Sequence, residues 1–255
     1  MPGALQGKTI IVTGAGGGIG REASLVLARA GAHVVVTDIA ADRGRDTVAA
    51  ITSEGLRATC IPADLASEDE IRSLVEQTVA TYGRLDGAFN NAGVEQCVLP
   101  LHQLTLEQWE RAIRIDLTSV FLCIKHQVIA MLKSGGGAIV NTASSLGQVA
   151  IANASEYIAA KHGVVGLTRA AAAEYARQGI RVNAVLPGIV LTPLISRLVA
   201  DPQFGSFFEK VKERHPIGRF GQPGEIGEAV KWLLSDAASF VNGSAMAVDG
   251  GYLAI

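Results

Sequence analysis

The sequence predicts an α/β fold, a Rossmann-type doubly wound parallel sheet of about seven strands with helices on both faces. Three observations predict it. Short, β-branched apolar runs alternate with helical stretches along the whole of the 255 residues. These runs are continuously apolar, which is typical of parallel strands that are buried on both faces. A glycine-rich turn follows the first run, and no linker or repeat divides the chain.

The predicted strands are the short apolar runs that end in turn-forming residues. They cover residues 9–13, 33–37, 58–61, 85–90, 138–142, 180–186 and 245–248. An alanine-rich stretch over residues 156–178 predicts a helix that ends at Gly179. Strands and helices in this order are typical of successive βαβ units.

Two other helices carry start signals in the sequence. Ser67 and Glu70 have the spacing of a capping box, and Gly83 would end the helix that follows. Thr105 and Gln108 have the same spacing and would open a long helix that runs to about residue 132.

One segment, residues 194–220, departs from the regular alternation. It contains prolines, glycines and the adjacent Phe207 and Phe208. We expect a single domain over residues 1–255, in which this segment forms short helices and a small substrate lid.

Composition narrows the function classes. The formal net charge is −2 and no basic block is present, which argues against a nucleic-acid partner. Cys60, Cys97 and Cys123 are scattered, so neither a disulfide framework nor a metal site is expected. We expect no signal peptide, and the sequence contains no run of about 20 apolar residues. A cytoplasmic protein without a membrane partner is the expectation.

The turn after the first strand predicts a dinucleotide site. Gly14, Gly16, Gly17, Gly18 and Gly20 stand between strand and helix, with Ile19 where the strict spacing would place the last glycine. Glycines there let backbone N–H groups approach a pyrophosphate, and the helix N-terminus favours its negative charge.

The second strand ends at Asp38, whose carboxylate could accept hydrogen bonds from both ribose hydroxyls and would repel a 2′-phosphate. Ala15, Gly16, Gly17 and Ile39 offer no cation for such a phosphate. Arg43 is the close candidate, and we interpret it as solvated. The sequence therefore predicts NAD rather than NADP.

Tyr157 and Lys161 stand four residues apart in a predicted helix and so share one face of it. A phenol has a pKa of about 10 in water, too high for a base at neutral pH. A neighbouring cation favours the phenolate. The pair is therefore a candidate general acid/base.

Together these segments resemble the short-chain dehydrogenase/reductase family in its single-domain branch. The motifs that carry the resemblance are spread over nearly the whole chain: Thr13–Gly20, Asp64-Leu65, Asn90-Asn91-Ala92-Gly93, Ser144, Tyr157-x-x-x-Lys161, Pro187-Gly188 and Asp249-Gly250-Gly251.

The resemblance implies roles for residues at the ends of the predicted strands. Tyr157 would be the general acid/base, Lys161 would assist it and bind the nicotinamide ribose, and Ser144 would hold the substrate oxygen. Asp64 would contact adenine and Asn90 the cofactor edge. The remaining cofactor-binding candidates are Leu65, Asn91, Ala92, Gly93, Pro187, Gly188, Ile189 and Thr192.

Asp116 departs from the family pattern, which usually has asparagine there. In the family that residue kinks a helix, and its carbonyl holds a water that leads to the lysine. Asp116 would keep the carbonyl and lose the amide donor. We expect the proton relay to survive, with a second charge near Lys161 that could offset its effect on Tyr157.

The predicted reaction is hydride transfer between a secondary alcohol or ketone and a nicotinamide. Candidate substrate contacts, besides Ser144 and Tyr157, are Gln96, Gln148, Asn153 and Leu194, with Glu95 and Glu156 nearby; we interpret Glu156 as a solvated residue of the first helical turn. The surroundings are mainly apolar, which favours a neutral, hydrophobic, cyclic or aryl substrate.

Three alternatives stay open at this stage. They are a 3-oxoacyl-carrier reductase, a non-catalytic NAD-binding regulator, and an isomerase or dehydratase on the same scaffold. Two long apolar helices also suggest self-association, and the resemblance implies a homotetramer.

Overall fold

A single parallel sheet organises the protein. The computed structural model describes residues 3–201 and 205–255, without the side chains of Leu194 and Ser206. In this part of the chain seven strands lie in the order β3-β2-β1-β4-β5-β6-β7, and every neighbouring pair is parallel. The predicted doubly wound α/β fold is confirmed. The order reverses direction at β1, where a ligand crevice is expected between β1 and β4.

The elements alternate along the chain as the sequence predicts. The strands are β1 Thr9–Thr13, β2 His33–Thr37, β3 Ala58–Cys60, β4 Gly87–Asn90, β5 Gly137–Thr142, β6 Ile180–Pro187 and β7 Ala245–Val248. The helices are α1 Gly18–Arg29, α2 Ala41–Ser53, α3 Glu68–Tyr82, α4 Leu106–Ile113, α5 Ser119–Ser134, α6 Ser155–Tyr175, α7 Pro193–Ala200, α8 Gly205–Glu213 and α9 Pro223–Leu234.

Each face of the sheet has its own hydrophobic core. Ile10 and Val12 point to the face covered by α1 and α9, while Ile11 between them points to the face covered by α3, α5 and α6. Successive side chains of a strand alternate between faces, so a run that is apolar at every position supplies both cores.

Two of the predicted helix starts differ in detail. Thr105 and Gln108 form the full capping box. Ser67 Oγ accepts from Glu70 N at 3.3 Å, but the Glu70 carboxylate accepts from Asp64 N at 2.7 Å instead of completing a box. The prediction of a capping box at Ser67 and Glu70 was wrong, because the Asp64 N–H competes for the Glu70 carboxylate.

The long helix predicted to begin after Thr105 is divided. A π-helical turn, Arg114–Thr118, separates α4 from α5, and Asp116 lies in the middle of it, fully buried. π-Turns inside helices are frequent at functional sites.

The continuous helical run Leu106–Ser134 is long and apolar enough to span a membrane, with a mean hydropathy of 1.5 over its most apolar stretch. It is not an unbroken run of about 20 apolar residues, because polar and charged residues such as Lys125, His126 and Gln127 interrupt it, so the sequence prediction is not contradicted. Half of that stretch is buried inside the protein. Val120, Ile124 and Val128 belong to one of the two cores, so packing within the domain accounts for these apolar residues.

The segment at residues 194–220 contains α7 and α8, in keeping with the short helices expected there. Phe208 is buried and packs edge-on against Phe220, with ring centroids 6.1 Å apart. Phe207 is more than half exposed. His215 is buried below α8 and accepts a hydrogen bond from Ile189 N at 3.1 Å, which links this segment to the end of β6.

Candidate active site

The glycine turn between β1 and α1 is built for close backbone approach. Gly14 has a φ of +62°, and a Cβ there would lie 2.8 Å from Ala92 Cα. A Cβ on Gly20 would lie 2.2 Å from Gly14 O. Gly17 precedes the first turn of α1, and no side chain of the described residues caps that helix. The N-terminus of α1 therefore faces the crevice with its partial positive charge uncovered by a side chain.

Asp38 is held beside this turn by two backbone donors. Its Oδ2 accepts from Gly16 N and its Oδ1 from Ala40 N, both at 2.9 Å. A Cβ on Gly16 would come within 2.8 Å of the Asp38 carboxylate. The carboxylate is thus fixed at the end of β2, where the sequence predicts the ribose of a dinucleotide.

A cleft of about 1430 Å³ opens over the carboxyl ends of the strands. Its walls contain eleven of the predicted cofactor residues: Gly14, Gly16, Gly17, Gly18, Asp38, Asp64, Leu65, Asn91, Ala92, Gly93 and Thr192. Ile39 also lines it and is 72% exposed. The chemistry of the walls, with a glycine turn at a helix N-terminus and a carboxylate at the end of β2, fits a dinucleotide.

Several arginines line the same cleft. Arg21 and Arg43 lie near the glycine turn, and Arg111 and Arg197 lie further along. Arg43 was considered from the sequence and interpreted as solvated, and it is indeed exposed. Arg21 was missed, although its place in the first turn of α1 could have indicated that it faces a bound anion.

The predicted acid/base pair lies together on α6. Lys161 is 3% exposed, and its Nζ lies 5.3 Å from the centroid of the Tyr157 ring. The ammonium donates to Thr142 O at the end of β5, at 3.3 Å. A Cβ on Gly93 would lie 3.5 Å from the same Nζ. Lys161 is therefore directly behind the part of the cleft wall that Gly93 forms.

Asp116 completes this cluster from the π-turn. Its Oδ1 lies 3.3 Å from Lys161 Nζ and accepts from Val94 N at 3.0 Å. Its Oδ2 is buried and has no hydrogen-bond partner within the described residues. Burial raises the pKa of Asp116, and the Lys161 charge and the Val94 N–H oppose that rise. The site thus contains a buried carboxylate–ammonium pair instead of the asparagine expected from the family.

Ser144 begins the short turn Ser145–Gly147 after β5. Its Oγ accepts from Leu146 N at 3.1 Å, which leaves its hydroxyl proton for another acceptor. A Cβ on Gly147 would lie 3.0 Å from Lys161 O, so the turn packs closely against the helix that bears the acid/base pair.

Asn90 does not reach the cofactor edge. It is 2% exposed, and its side chain exchanges hydrogen bonds with Gln127 at 2.7 and 3.0 Å and donates to Asn141 Oδ1 at 2.9 Å. The role implied by the resemblance was wrong, because the pleat turns Asn90 toward α5 and leaves Asn91 at the crevice.

Other predicted cofactor residues lie outside the cleft walls. Ile19 packs against a core cluster. Gly20 lies against the backbone of Gly14, on the inner side of the turn. Pro187 and Gly188 are at the end of β6, and Ile189 lines a second cavity of about 290 Å³.

The predicted substrate residues are only partly placed. Gln148 and Asn153 are exposed, Gln96 is half-buried, and the side chain of Leu194 lies outside the described residues. Glu156 was expected from the sequence to be solvated, and this was wrong, because it is fully buried. No local pattern predicts this burial, since the first turn of a helix is usually exposed on at least one side.

The chain matches the family described as Enoyl-(Acyl carrier protein) reductase over residues 14–253. This match and the full-length relatives below settle the resemblance. The chain is a short-chain dehydrogenase/reductase. The family uses a nicotinamide cofactor, and the predicted membership is confirmed.

Relatives over the full length are oxidoreductases. The 2,5-dichloro-2,5-cyclohexadiene-1,4-diol dehydrogenase of Sphingobium indicum strain UT26S is 49% identical over 98% of this chain and 99% of its own length. Cyclohexanol dehydrogenase of Acinetobacter sp. strain SE19 is 45% identical over 99% and 97%.

A solved structure from Beutenbergia cavernae, presented as a candidate NAD(P)-dependent gluconate 5-dehydrogenase with NADP at low occupancy, superposes with a TM-score of 0.91. It is 39% identical and each chain is covered to 100%.

Proposed function

We propose that this short-chain dehydrogenase/reductase is an NAD-dependent dehydrogenase of neutral, ring-containing secondary alcohols, working reversibly on the ketone. The observation that carries the proposal is the buried Lys161 ammonium beside the Tyr157 ring and behind Gly93. The ammonium lies 5.3 Å from the centroid of that ring, and a positive charge there favours negative charge on the Tyr157 oxygen.

The chain's own residues supply the acid/base chemistry. In alcohol oxidation the Tyr157 phenolate takes the hydroxyl proton while Ser144 Oγ–H donates to the substrate oxygen. Lys161 stabilises the phenolate and is itself fixed by Thr142 O. In ketone reduction the Tyr157 phenol returns the proton. The nicotinamide cofactor, when bound, accepts or supplies the hydride.

The choice of NAD is supported by Asp38. Its carboxylate is fixed beside the glycine turn by two N–H donors, where it can accept from ribose hydroxyls and repel a 2′-phosphate. Arg21 and Arg43 in the same cleft, and the NADP in the related structure, make the test necessary. Turnover should be better with NAD, and Asp38→Ala should shift the preference toward NADP. Better turnover of the unaltered protein with NADP would overturn this choice.

The substrate class is supported by the relatives, two of which are named for alcohols on six-membered carbon rings. The experiment is a screen of cyclic and open-chain alcohols by NADH absorbance, with an acetoacetyl thioester and NADPH as the arm that tests the oxoacyl alternative. Preference for the thioester, or for an anionic alcohol, would contradict the proposal.

The catalytic assignment is tested by Tyr157→Phe with Tyr175→Phe as its control, since both tyrosines lie on α6. We expect the first variant to lose turnover while it still binds NAD, and the second to keep both. Retained turnover in Tyr157→Phe would refute the role. A homotetramer and a cytoplasmic location stay predictions, which size-exclusion chromatography with light scattering and cell fractionation would check.

A further inference from the structure

Two buried carboxylates hold the same loop of the active site. Residues 94–98 follow β4 without regular structure, and Val94 lines the cleft. Asp116 Oδ1 accepts from Val94 N at one end of this loop, at 3.0 Å. Glu156 Oε1 accepts from Cys97 N at the other end, at 2.6 Å. The loop is thus attached both to the π-turn and to the catalytic helix.

A buried glutamate at position 156 destabilises the fold unless it has a task beyond filling space. It is fully buried, and its Oε2 has no hydrogen-bond partner within the described residues. A buried carboxylate with an unsatisfied oxygen costs more free energy than an apolar side chain of the same volume. Its position, one residue before Tyr157, suggests that it acts on the site rather than on global stability.

The loop is also strained where Glu156 holds it. Val98 has a φ of +56°, a region that β-branched residues rarely adopt. Such a conformation costs about 1–3 kcal/mol and persists only where its surroundings enforce it. The short hydrogen bond to Cys97 N, immediately before Val98, is a contact that can enforce it.

We propose that Glu156 is a positioning residue that fixes loop 94–98 to the first turn of α6, so that this wall of the site and Tyr157 keep a constant relation, and that it thereby sets affinity for the alcohol. The inference rests on the proposed function for its kinetic part alone. The proton transfer itself does not involve Glu156, because its carboxylate is sealed from the cleft.

The test uses two variants of the full chain. Glu156→Gln keeps an oxygen that can accept from Cys97 N, and Glu156→Met keeps the volume without an acceptor. In Glu156→Met we expect KM for the alcohol to rise about 10-fold, equivalent to about 1.4 kcal/mol, with kcat, its pH profile and NAD affinity nearly unchanged. Glu156→Gln should restore KM. A fall in kcat at constant KM, or no difference between the variants, would overturn the proposal.

A second readout is independent of enzyme activity. Burial raises the pKa of the Cys97 thiol, and the Glu156 carboxylate raises it further. Iodoacetamide should therefore modify Cys97 about 10-fold faster in Glu156→Met, since thiolate and access both increase. Peptide mass spectrometry follows each cysteine separately, with Cys60 as the internal control; Cys123, buried with its pKa raised to about 12, should stay unmodified.

If Glu156→Met does not fold, hydrogen exchange on the unaltered protein tests whether Glu156 holds the loop. The Cys97 amide should exchange as slowly as the Val94 amide, the other carboxylate-bound N–H of the loop. A fast-exchanging Cys97 amide would overturn the proposal. If instead no alcohol is oxidised but exchange and alkylation behave as expected, the proposed function fails while the positioning role stands.

Discussion

Replacing Asp116 by asparagine should move the pH dependence of alcohol oxidation to lower pH. The Asp116 carboxylate opposes the negative charge that Tyr157 develops as a base, and it competes for the Lys161 ammonium. Asparagine keeps an Oδ1 that can accept from Val94 N, and the substitution removes the charge alone. The rate of alcohol oxidation should therefore begin to rise at lower pH in the variant.

The magnitude follows from two distances. Asp116 Oδ1 lies 3.3 Å from Lys161 Nζ, which lies 5.3 Å from the Tyr157 ring centroid, so the carboxylate oxygen is within about 8.6 Å of the ring. At an effective dielectric of about 20, a charge at about 9 Å contributes about 1.8 kcal/mol. Since one pH unit corresponds to about 1.4 kcal/mol, the midpoint of the rate–pH profile should fall by about one unit.

The assay is the initial rate of alcohol oxidation at saturating NAD from about pH 6 to about pH 10, fitted to a single ionisation. Asp236→Asn is the control for loss of one negative charge. Asp236 is exposed, pairs with Lys8 and is 120 residues from Asp116 in the sequence. An unchanged midpoint, or one that rises, would refute the electrostatic reasoning. Complete loss of activity would show that the carboxylate has a chemical task of its own.

Two other substitutions test separate parts of the structure. Gly93→Ala should lower kcat/KM more than about 10-fold, because its Cβ would lie 2.6 Å from Asp116 Oδ1. Gly166→Ala is the control, since a Cβ at Gly166 would meet no atom of the described residues within 4 Å. Equal kcat/KM values for the two variants would contradict the reasoning. The pKa of Glu225 is lowered to about 2, mainly by Arg219. This depressed value means that the pair stabilises the fold above about pH 4.3, and that the stabilisation is lost as the pH falls toward about 2. Glu225→Gln should therefore cost less than about 1 kcal/mol at neutral pH, since the pair is exposed, and nothing near pH 2; urea unfolding at both values checks it, and an equal loss at both would contradict it.

Much of the fold could be predicted because its signals are local. Each predicted strand matches an observed one to within a residue or two, since a buried parallel strand needs an unbroken apolar run. Asp38 and the glycine turn were placed for the same reason, as their roles follow from where a strand ends and a helix begins.

Apart from the capping box at Ser67, the errors concern contacts between distant segments. The burial of Glu156 depends on loop 94–98 folding over it, and the bonds of Asn90 depend on Gln127, 37 residues away. The kink at Asp116 and its charge near Lys161 were implied by the resemblance alone, since these two residues meet only in the folded chain. No periodicity or composition in the sequence contains this information.

The pairing of Lys161 with Asp116 also affects how loss-of-function variants are interpreted. Neutralising Lys161 alone would leave an enclosed anion without its counter-ion, and such orphaned charges typically cost about 3–5 kcal/mol of folding free energy. A dead Lys161→Met protein could therefore be an unfolded one. The double replacement Lys161→Met with Asp116→Asn should have a higher free energy of unfolding than the single one. The effects of Lys161 on catalysis and on folding can therefore be separated only when both partners are replaced together.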